Sequence, residues 1–245
     1  MSTHEAWLTQ IFNHYLQGLG NWLLALFHQT AVNPEEPWAD HIVMQILVGA
    51  IIISLLVALR SGLSVDKPGK LQHVFELIRG FVTDQADDQV GHEGHHHTVI
   101  FATLFLFLLV ANLIGVIPKF MSPTQVAYVP AGCALVAFTY YNIVGVVKHG
   151  PFKYIKQFFG PIWWMTPLMF PIEIISHLAR PLSLTIRLFA NMYAGELVTM
   201  IFLNLTFIVL PALFMGLHVF VSILQAYIFM LLTMMYVAGA VSEEH

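Results

Sequence analysis

Between residues 157 and 242, only Glu173, Arg180, Arg187 and Glu196 carry a formal charge. An ionisable group in so apolar a segment costs at least a few kcal/mol if the segment lies in a bilayer, and it marks function by default. Glu173, Arg180 and Arg187 are spaced seven apart. That is about two helical turns, so on one helix they share a stripe. Ser176, Ser183 and Asn191 fall on or beside it. Glu196 lies nine residues beyond Arg187, about 180° round a regular helix. One long helix here carries polar groups on two faces and at two depths.

Arg187 is the sharpest of these signals. An arginine cannot escape an apolar setting by losing its proton. The acid on its stripe, Glu173, is 14 residues away, about 21 Å along a helix axis, and Arg180 lies closer to that acid. Arg187 therefore lacks a carboxylate at its own depth on this helix. Either another chain supplies one, or the side chain snorkels or is solvated within its helix. The next apolar segment carries His218, Ser222 and Gln225 at i, i+4 and i+7, one polar face. If the two segments form a hairpin, Glu196 and His218 can meet across it. Such a pair suits a proton relay, because histidine titrates near neutral pH and burial tunes an acid, and it equally suits a structural hydrogen-bonded pair.

Two other patterns carry less. His92-Glu93-Gly94-His95-His96 matches H-E-x-x-H, a zinc-protease motif that needs a helix and a third ligand. Gly91 and Gly94 argue against a regular helix there, and the expectation is a solvated loop over 92–97 whose histidines are dispensable. Met230, Met234 and Met235 read as packing residues rather than a metal path.

The elements that must position these groups follow from composition. Of 245 residues, 58% are apolar and 10% are charged, against about 25% charged in a soluble domain. That much apolar surface implies a polytopic membrane protein. The 10 Lys+Arg against 14 Asp+Glu leave no basic excess to hold nucleic acid. The lone Cys133 excludes a disulfide framework and a four-cysteine metal site. The start, MSTHEAWLTQ, lacks a basic n-region, so no cleaved secretory signal is expected.

Residues 6–28 are amphipathic, with Trp7, Leu8, Ile11, Phe12, Tyr15, Leu16, Leu19, Trp22, Leu23, Leu26 and Phe27 recurring at helical spacing and Thr9, Gln10, Asn13, His14 and Gln17 opposite. This is a helix lying on a membrane or a partner, not a span. Spans are expected at roughly 41–59, 97–118 and 126–147. A second amphipathic helix over 71–90 is expected at the cytoplasmic interface, with Leu71, Val74, Phe75, Ile78, Phe81 and Val82 on its apolar face and Glu76, Arg79 and Asp84 off it. Arg60, Lys67 and Lys70 follow the first span, and Lys148, Lys153 and Lys156 the third, so the positive-inside rule puts both ends in the cytoplasm. The stretch 161–242 divides near Asn204 and Pro211 into two helices, each longer than the roughly 30 Å core and therefore strongly tilted or partly interfacial. Four short spans in this stretch would return to the same side. The expected fold class is an all-α polytopic membrane protein with five membrane helices, the last two long and strongly tilted, plus amphipathic interfacial helices. Residues 1–40 form an N-terminal segment on the outer side. Residues 41–245 form one membrane domain, with 161–245 its long-helix hairpin and the C-terminus in the cytoplasm.

The run Pro181-Leu182-Ser183-Leu184-Thr185-Ile186-Arg187-Leu188-Phe189-Ala190-Asn191-Met192-Tyr193-Ala194-Gly195-Glu196-Leu197 closely resembles the signature of the F-type ATP synthase a subunit family. Leu224-Gln225-Ala226-Tyr227-Ile228-Phe229, Tyr236 and the final Ser242-Glu243-Glu244-His245 are similar to it as well. So are Asn112-Leu113-Ile114-Gly115-Val116-Ile117-Pro118, Ser122-Pro123-Thr124, Asn142 and Gly145. The resemblance covers about 41–245.

The resemblance implies that Arg187 is the stator arginine facing a rotor ring of c subunits, which would supply the missing carboxylate in trans. It implies that Glu196, His218, Asn191 and Gln225 line a half-channel from the outer side. Glu173, Ser176 and Ser183 would lie toward a cytoplasmic half-channel, with Arg180 a basic position there. Ala190 departs from the family's usual glycine and adds a methyl near the closest helix approach. The implied partners are the c-subunit ring, peripheral-stalk b subunits, the lipid bilayer and the rest of the complex, in a bacterial inner membrane. No cofactor is implied, and catalysis would belong to other subunits; G-x-x-x-x-G-K-[ST] is absent from the chain. The competing readings are a self-contained proton-coupled transporter, which would need a partner for Arg187 within the chain and two related halves, and an intramembrane zinc protease.

Overall fold

With no water in hydrocarbon, a backbone must satisfy its own amides, and each long apolar run of this chain does so as a helix. The structure is a computed structural model that describes residues 7–26, 35–64, 69–91, 93–117, 120–157, 166–205 and 209–242. The helices are α1 (Trp7–Leu26), α2 (Asp40–Ser61), α3 (Lys70–Val90), α4 (Gly94–Ile114), α5 (Tyr128–His149), α6 (Pro151–Gln157), α7 (Thr166–Leu205) and α8 (Val209–Val241). A 3-10 turn, Pro123–Gln125, precedes α5. Among the described residues there is no strand.

Five helices are long and apolar enough to cross a membrane: α2, α4, α5 and most of α7 and α8. At 1.5 Å per residue α7 is about 60 Å long and α8 about 50 Å, against a core of about 30 Å. Both must tilt steeply or run partly along an interface. Two long helices rather than four short spans thus occupy the C-terminal stretch. Pro211 sits in the first turn of α8, where a missing N–H costs nothing. Asn204 lies in the last turn of α7, and 206–208 fall outside the described residues.

The helix α8 is the hub. Its Ala226, Phe229, Met230, Met234 and Val237 are almost fully buried. They meet Phe101, Leu104 and Leu108 of α4, Ala134, Ala137 and Tyr141 of α5, and Leu184, Leu188 and Met192 of α7 in one core cluster. Met235, by contrast, faces outward. Beside this core, α2 attaches through Val48 to Ala111 and Ile114. Its Ile53, Leu56 and Val57 are exposed, as a surface facing lipid should be. A cleft of about 980 Å³ is lined by residues of α2, α3, α4 and α5.

The expected amphipathic helices form at Trp7–Leu26 and Lys70–Val90. Helix α1 uses its polar face inward. Asn13 Nδ2 donates to the Trp38 carbonyl at 3.2 Å, the Trp38 N–H donates to Asn13 Oδ1 at 2.9 Å, and the Trp38 indole donates to the Leu16 carbonyl at 2.9 Å. Leu16 itself leaves helical geometry. Of the expected apolar residues, Trp7, Ile11, Tyr15, Leu16, Leu19, Trp22 and Leu26 stay exposed, Leu8, Phe12 and Leu23 are half-buried, and Phe27 lies outside the described residues. On α3 the inward residues are Gln72, Val82 and Ala86, while Leu71, Val74 and Phe81 of the expected apolar face remain exposed.

One expectation is overturned. The stretch 92–97 is not a loop throughout: Gly94, His95, His96 and His97 form the first turn of α4, three residues ahead of the expected start at 97. The reason is tertiary. Gly91, at φ +84°, ends α3 in a conformation that favours glycine. Gly94 then packs directly on the α3 backbone, where a Cβ would lie 2.3 Å from the Ala86 carbonyl oxygen. The side chains are partnered too. His97 Nδ1 lies 2.7 Å from the Tyr140 hydroxyl, and His95 Nδ1 is 3.8 Å from Asp87. Lys148, at the end of α5, donates to Glu93, and that hydrogen bond and charge hold the Glu93 carboxyl below its usual range. His92 lies outside the described residues.

The contact at Gly94 predicts a local lesion. Gly94→Ala should force α3 and α4 apart and cost about 1–3 kcal/mol. Gly49→Ala on α2, where a Cβ meets open space, should change stability by less than about 0.5 kcal/mol. Thermal unfolding of the detergent-solubilised protein measures both, and an unchanged midpoint in Gly94→Ala would refute the close approach.

Candidate functional site

Helix α7 has two unlike edges. Leu184, Leu188 and Met192, spaced at one turn, are buried against the core. The other edge carries Ser176, Ser183 and Arg187, all exposed. Local hydrogen bonds tie two hydroxyls near Arg187 to the helix backbone. Ser183 Oγ donates to the Arg180 carbonyl at 3.0 Å, and Thr185 Oγ1 donates to the Pro181 carbonyl at 2.8 Å. Pro181 removes one N–H from the ladder in this stretch.

Among the described residues, Arg187 has neither a hydrogen bond nor an ion pair. The ion pairs they form are His95–Asp87 and Lys148–Glu93, far along the chain. Glu173, half-buried, is likewise in no ion pair. Arg180 turns away from that acid. Its guanidinium carbon lies 5.8 Å from the centroid of the Tyr141 ring and 5.4 Å from that of Tyr236. Spacing alone put Arg180 on the stripe of Arg187; packing rotates it toward α5 and α8.

The polar face of α8 points into the molecule. His218, Ser222 and Gln225 are 5%, 0% and 3% exposed. Gln225 Oε1 accepts from Asn191 Nδ2 at 2.9 Å, which joins α7 to α8 across the hairpin. Ser222 Oγ points at Met192 Sδ at 3.9 Å, and its carbonyl accepts from Asn112 Nδ2 at 3.2 Å. Thr124 in turn donates to Asn112 Oδ1 at 2.7 Å. The His218 ring lies against Gly195, 3.4 Å from where a Cβ would sit. The neighbouring Glu196 has a buried oxygen, Oε2, without a hydrogen-bond partner, and so has His218 at Nε2. The hairpin therefore brings the two groups to one level, but no carboxylate–imidazole hydrogen bond joins them. Two unpartnered polar atoms in one buried region call for water or for an exchangeable proton.

Sequence reasoning missed a second cluster around His177 on α7. His177 Nε2 is 2.9 Å from Asn142 Oδ1 and 3.2 Å from the Tyr141 hydroxyl. The Tyr154 hydroxyl donates to the same Asn142 oxygen at 2.9 Å. The available signal was Tyr140-Tyr141-Asn142, a polar run inside an apolar span. Among the described residues, no three His, Cys, Asp or Glu side chains gather as metal ligands.

These features define an all-helical, multi-pass membrane protein whose long C-terminal hairpin carries ionisable groups on both sides of one helix. The family model described as ATP synthase A chain matches residues 42–238. ATP synthase subunit a of Solibacter usitatus (strain Ellin6076) is 62% identical over 236 residues, covering 96% of this chain and 100% of that protein. ATP synthase subunit a of Koribacter versatilis (strain Ellin345) is 43% identical, covering 99% of each. That of Geobacter sulfurreducens is 44% identical over 86% of this chain and 91% of the relative. The chain belongs to the ATP synthase A chain family, and membership displaces the transporter and protease readings.

The hairpin contact can be tested by a double-mutant cycle. Asn191→Ala and Gln225→Ala each remove the 2.9 Å bond. The double variant should lose less stability than the sum of the singles, with a coupling of about 0.5–1.5 kcal/mol. Additive losses in thermal unfolding would show that the bond is not formed.

Proposed function

We propose that this chain is the stator subunit of the ATP synthase membrane sector, offering two offset proton half-channels to the carboxylates of a rotor ring. The observation that carries this reading is Arg187. It is exposed on the free edge of α7 and has no partner among the described residues, as expected if a ring of c subunits supplies its carboxylate. Its charge cannot titrate away. Facing the ring, it favours the ionised rotor carboxylate and repels a proton hopping straight from one half-channel to the other. Glu196, His218, Asn191 and Gln225 serve the outer half-channel. Glu173, Ser176 and Ser183 serve the cytoplasmic one, and Arg180 is a basic position beside it, turned toward Tyr141 and Tyr236. A rotor carboxylate takes up a proton from one side, crosses lipid neutral, and releases it on the other. Each proton yields about 2.3 kcal/mol per 100 mV of membrane potential, and that bias turns the ring.

In this reading the chain is not itself catalytic, and nucleotide chemistry belongs to other subunits. Peripheral-stalk b subunits hold it against the ring's torque. It lies in a bacterial inner membrane with residues 1–40 on the outer side, the exposed stripe of α1 against lipid, and the C-terminus in the cytoplasm. The basic residues after α2 and α5 support this orientation.

Arg187→Gln or Arg187→Ala should abolish ATP-driven proton pumping into vesicles while the complex still assembles. Arg187→Lys should fail or nearly fail, because a point ammonium lacks the guanidinium fork. Wild-type pumping by Arg187→Gln would sink the reading. A second expectation separates flux from leak. Glu196→Leu and His218→Leu should each slow proton entry without making the membrane leaky. The exchange Glu196→His with His218→Glu should recover part of the flux, because it keeps one acid and one imidazole at the same level of the hairpin. An exchange no better than the worse single variant would mean the two act separately.

A further inference from the structure

The cluster behind α7 poses a problem for any protein that must keep protons on one route. Tyr141, His177 and Tyr154 carry phenol and imidazole groups, and Asn142 Oδ1 joins them at 2.9 Å from both His177 Nε2 and the Tyr154 hydroxyl. Tyr141 reaches His177 directly at 3.2 Å and is 1% exposed. Groups of this kind take up and pass on protons. They sit between α5, α6 and α7, on the side of α7 away from the exposed edge that carries Arg187. A proton held by them would stay off the exposed edge of α7.

Arg180 stands one turn beyond His177 on the same helix. Its guanidinium lies over two ring faces, 5.8 Å from Tyr141 and 5.4 Å from Tyr236. Those rings also pack on each other, with centroids 5.9 Å apart. Ring faces attract a cation without neutralising it, and no carboxylate pairs with Arg180 among the described residues. The result is a permanent charge, fixed in position, beside a proton-exchanging cluster. Arg180 is half-buried, and a fixed charge there repels an excess proton on the groups beside it.

We propose that Arg180, held by Tyr141 and Tyr236, is an electrostatic plug that stops protons of the His177 cluster from crossing between α5, α7 and α8. Transfer is thereby confined to the exposed edge of α7. This rests on the stator reading above, and it gives Arg180 a blocking role rather than a place on the cytoplasmic half-channel. Tyr141 and Tyr236 are positioning residues, acting through the guanidinium they hold.

The test uses the whole ATP synthase in phospholipid vesicles with a trapped pH-sensitive dye, an imposed membrane potential, and the rotor carboxylates blocked by a carbodiimide. With the ring blocked, Arg180→Gln should raise the remaining proton leak about tenfold, equivalent to ~1.4 kcal/mol off the barrier. Arg180→Lys, which keeps the charge, should return the leak to near the wild-type level, a rescue that a purely structural role would not give. Tyr236→Leu should leak less than Arg180→Gln but more than wild type. An assembled Arg180→Gln complex as tight as wild type overturns the plug. So does an Arg180→Gln leak that the carbodiimide abolishes, since that path would run through the ring. If Arg180→Gln fails to assemble, a tight Tyr236→Leu complex overturns it instead. Failure of the stator reading shows separately, as wild-type pumping that survives both the carbodiimide and Arg187→Gln.

Discussion

A guanidinium keeps its charge wherever the chain puts it, and in a medium without water something has to answer that charge. Helix α7 carries two guanidiniums seven residues apart and answers them differently. Arg180 turns inward to the faces of Tyr141 and Tyr236. Arg187 stays on the free edge, answered by nothing among the described residues. The rest of the bundle maintains this division. Leu184, Leu188 and Met192 lock the opposite edge of α7 to the core, so the helix cannot roll to bury Arg187. The Asn191–Gln225 bond pins the hairpin a turn further on.

The same arrangement explains why polar groups are tolerated deep in so apolar a structure. Asn112, Ser122, Thr124 and Ser222 are each at most 1% exposed, and each is tied to another helix or turn by a hydrogen bond. Their cost is met locally. Thr9, Thr98, His149, Glu196 and His218 each keep a buried polar atom without a partner, and of these only Glu196 and His218 lie together, across the α7–α8 hairpin. Unsatisfied polar atoms are disfavoured unless solvent or a proton completes them, which sets this level of the hairpin apart from the closed networks around it.

Much of this was legible in the chain itself, for stated reasons. Apolar runs of bilayer length have few alternatives to helix, so the first span, expected at 41–59, is found as Asp40–Ser61. The i, i+4, i+7 spacing of His218, Ser222 and Gln225 marked one face, and that face is the buried one. What spacing does not carry is the identity of the neighbour. It set Arg180 beside Arg187 because both lie on one stripe, whereas tyrosines on α5 and α8 decide where Arg180 points. It made a loop of the histidines after Gly91, whereas the backbone of Ala86 requires a glycine at 94 and lets α4 begin there. On α1 both faces were evident, but not that the backbone of Trp38 would claim the polar one through Asn13. His177 gave no local sign, because its partners lie 35 and 36 residues upstream.

The central position of α8 bears on how the molecule is made. Translation delivers α2, α4, α5 and α7 before the helix that all but α2 pack against in the core cluster. Each earlier helix must therefore survive in lipid by itself, with its backbone satisfied and its packing surface open to acyl chains. The charged middle of α7 enters the membrane before Tyr236 exists to share in holding Arg180. Insertion and consolidation are thus separate stages, and the second is triggered by the arrival of a single helix. A nascent chain stalled before α8 would hold its earlier spans in lipid without their common core.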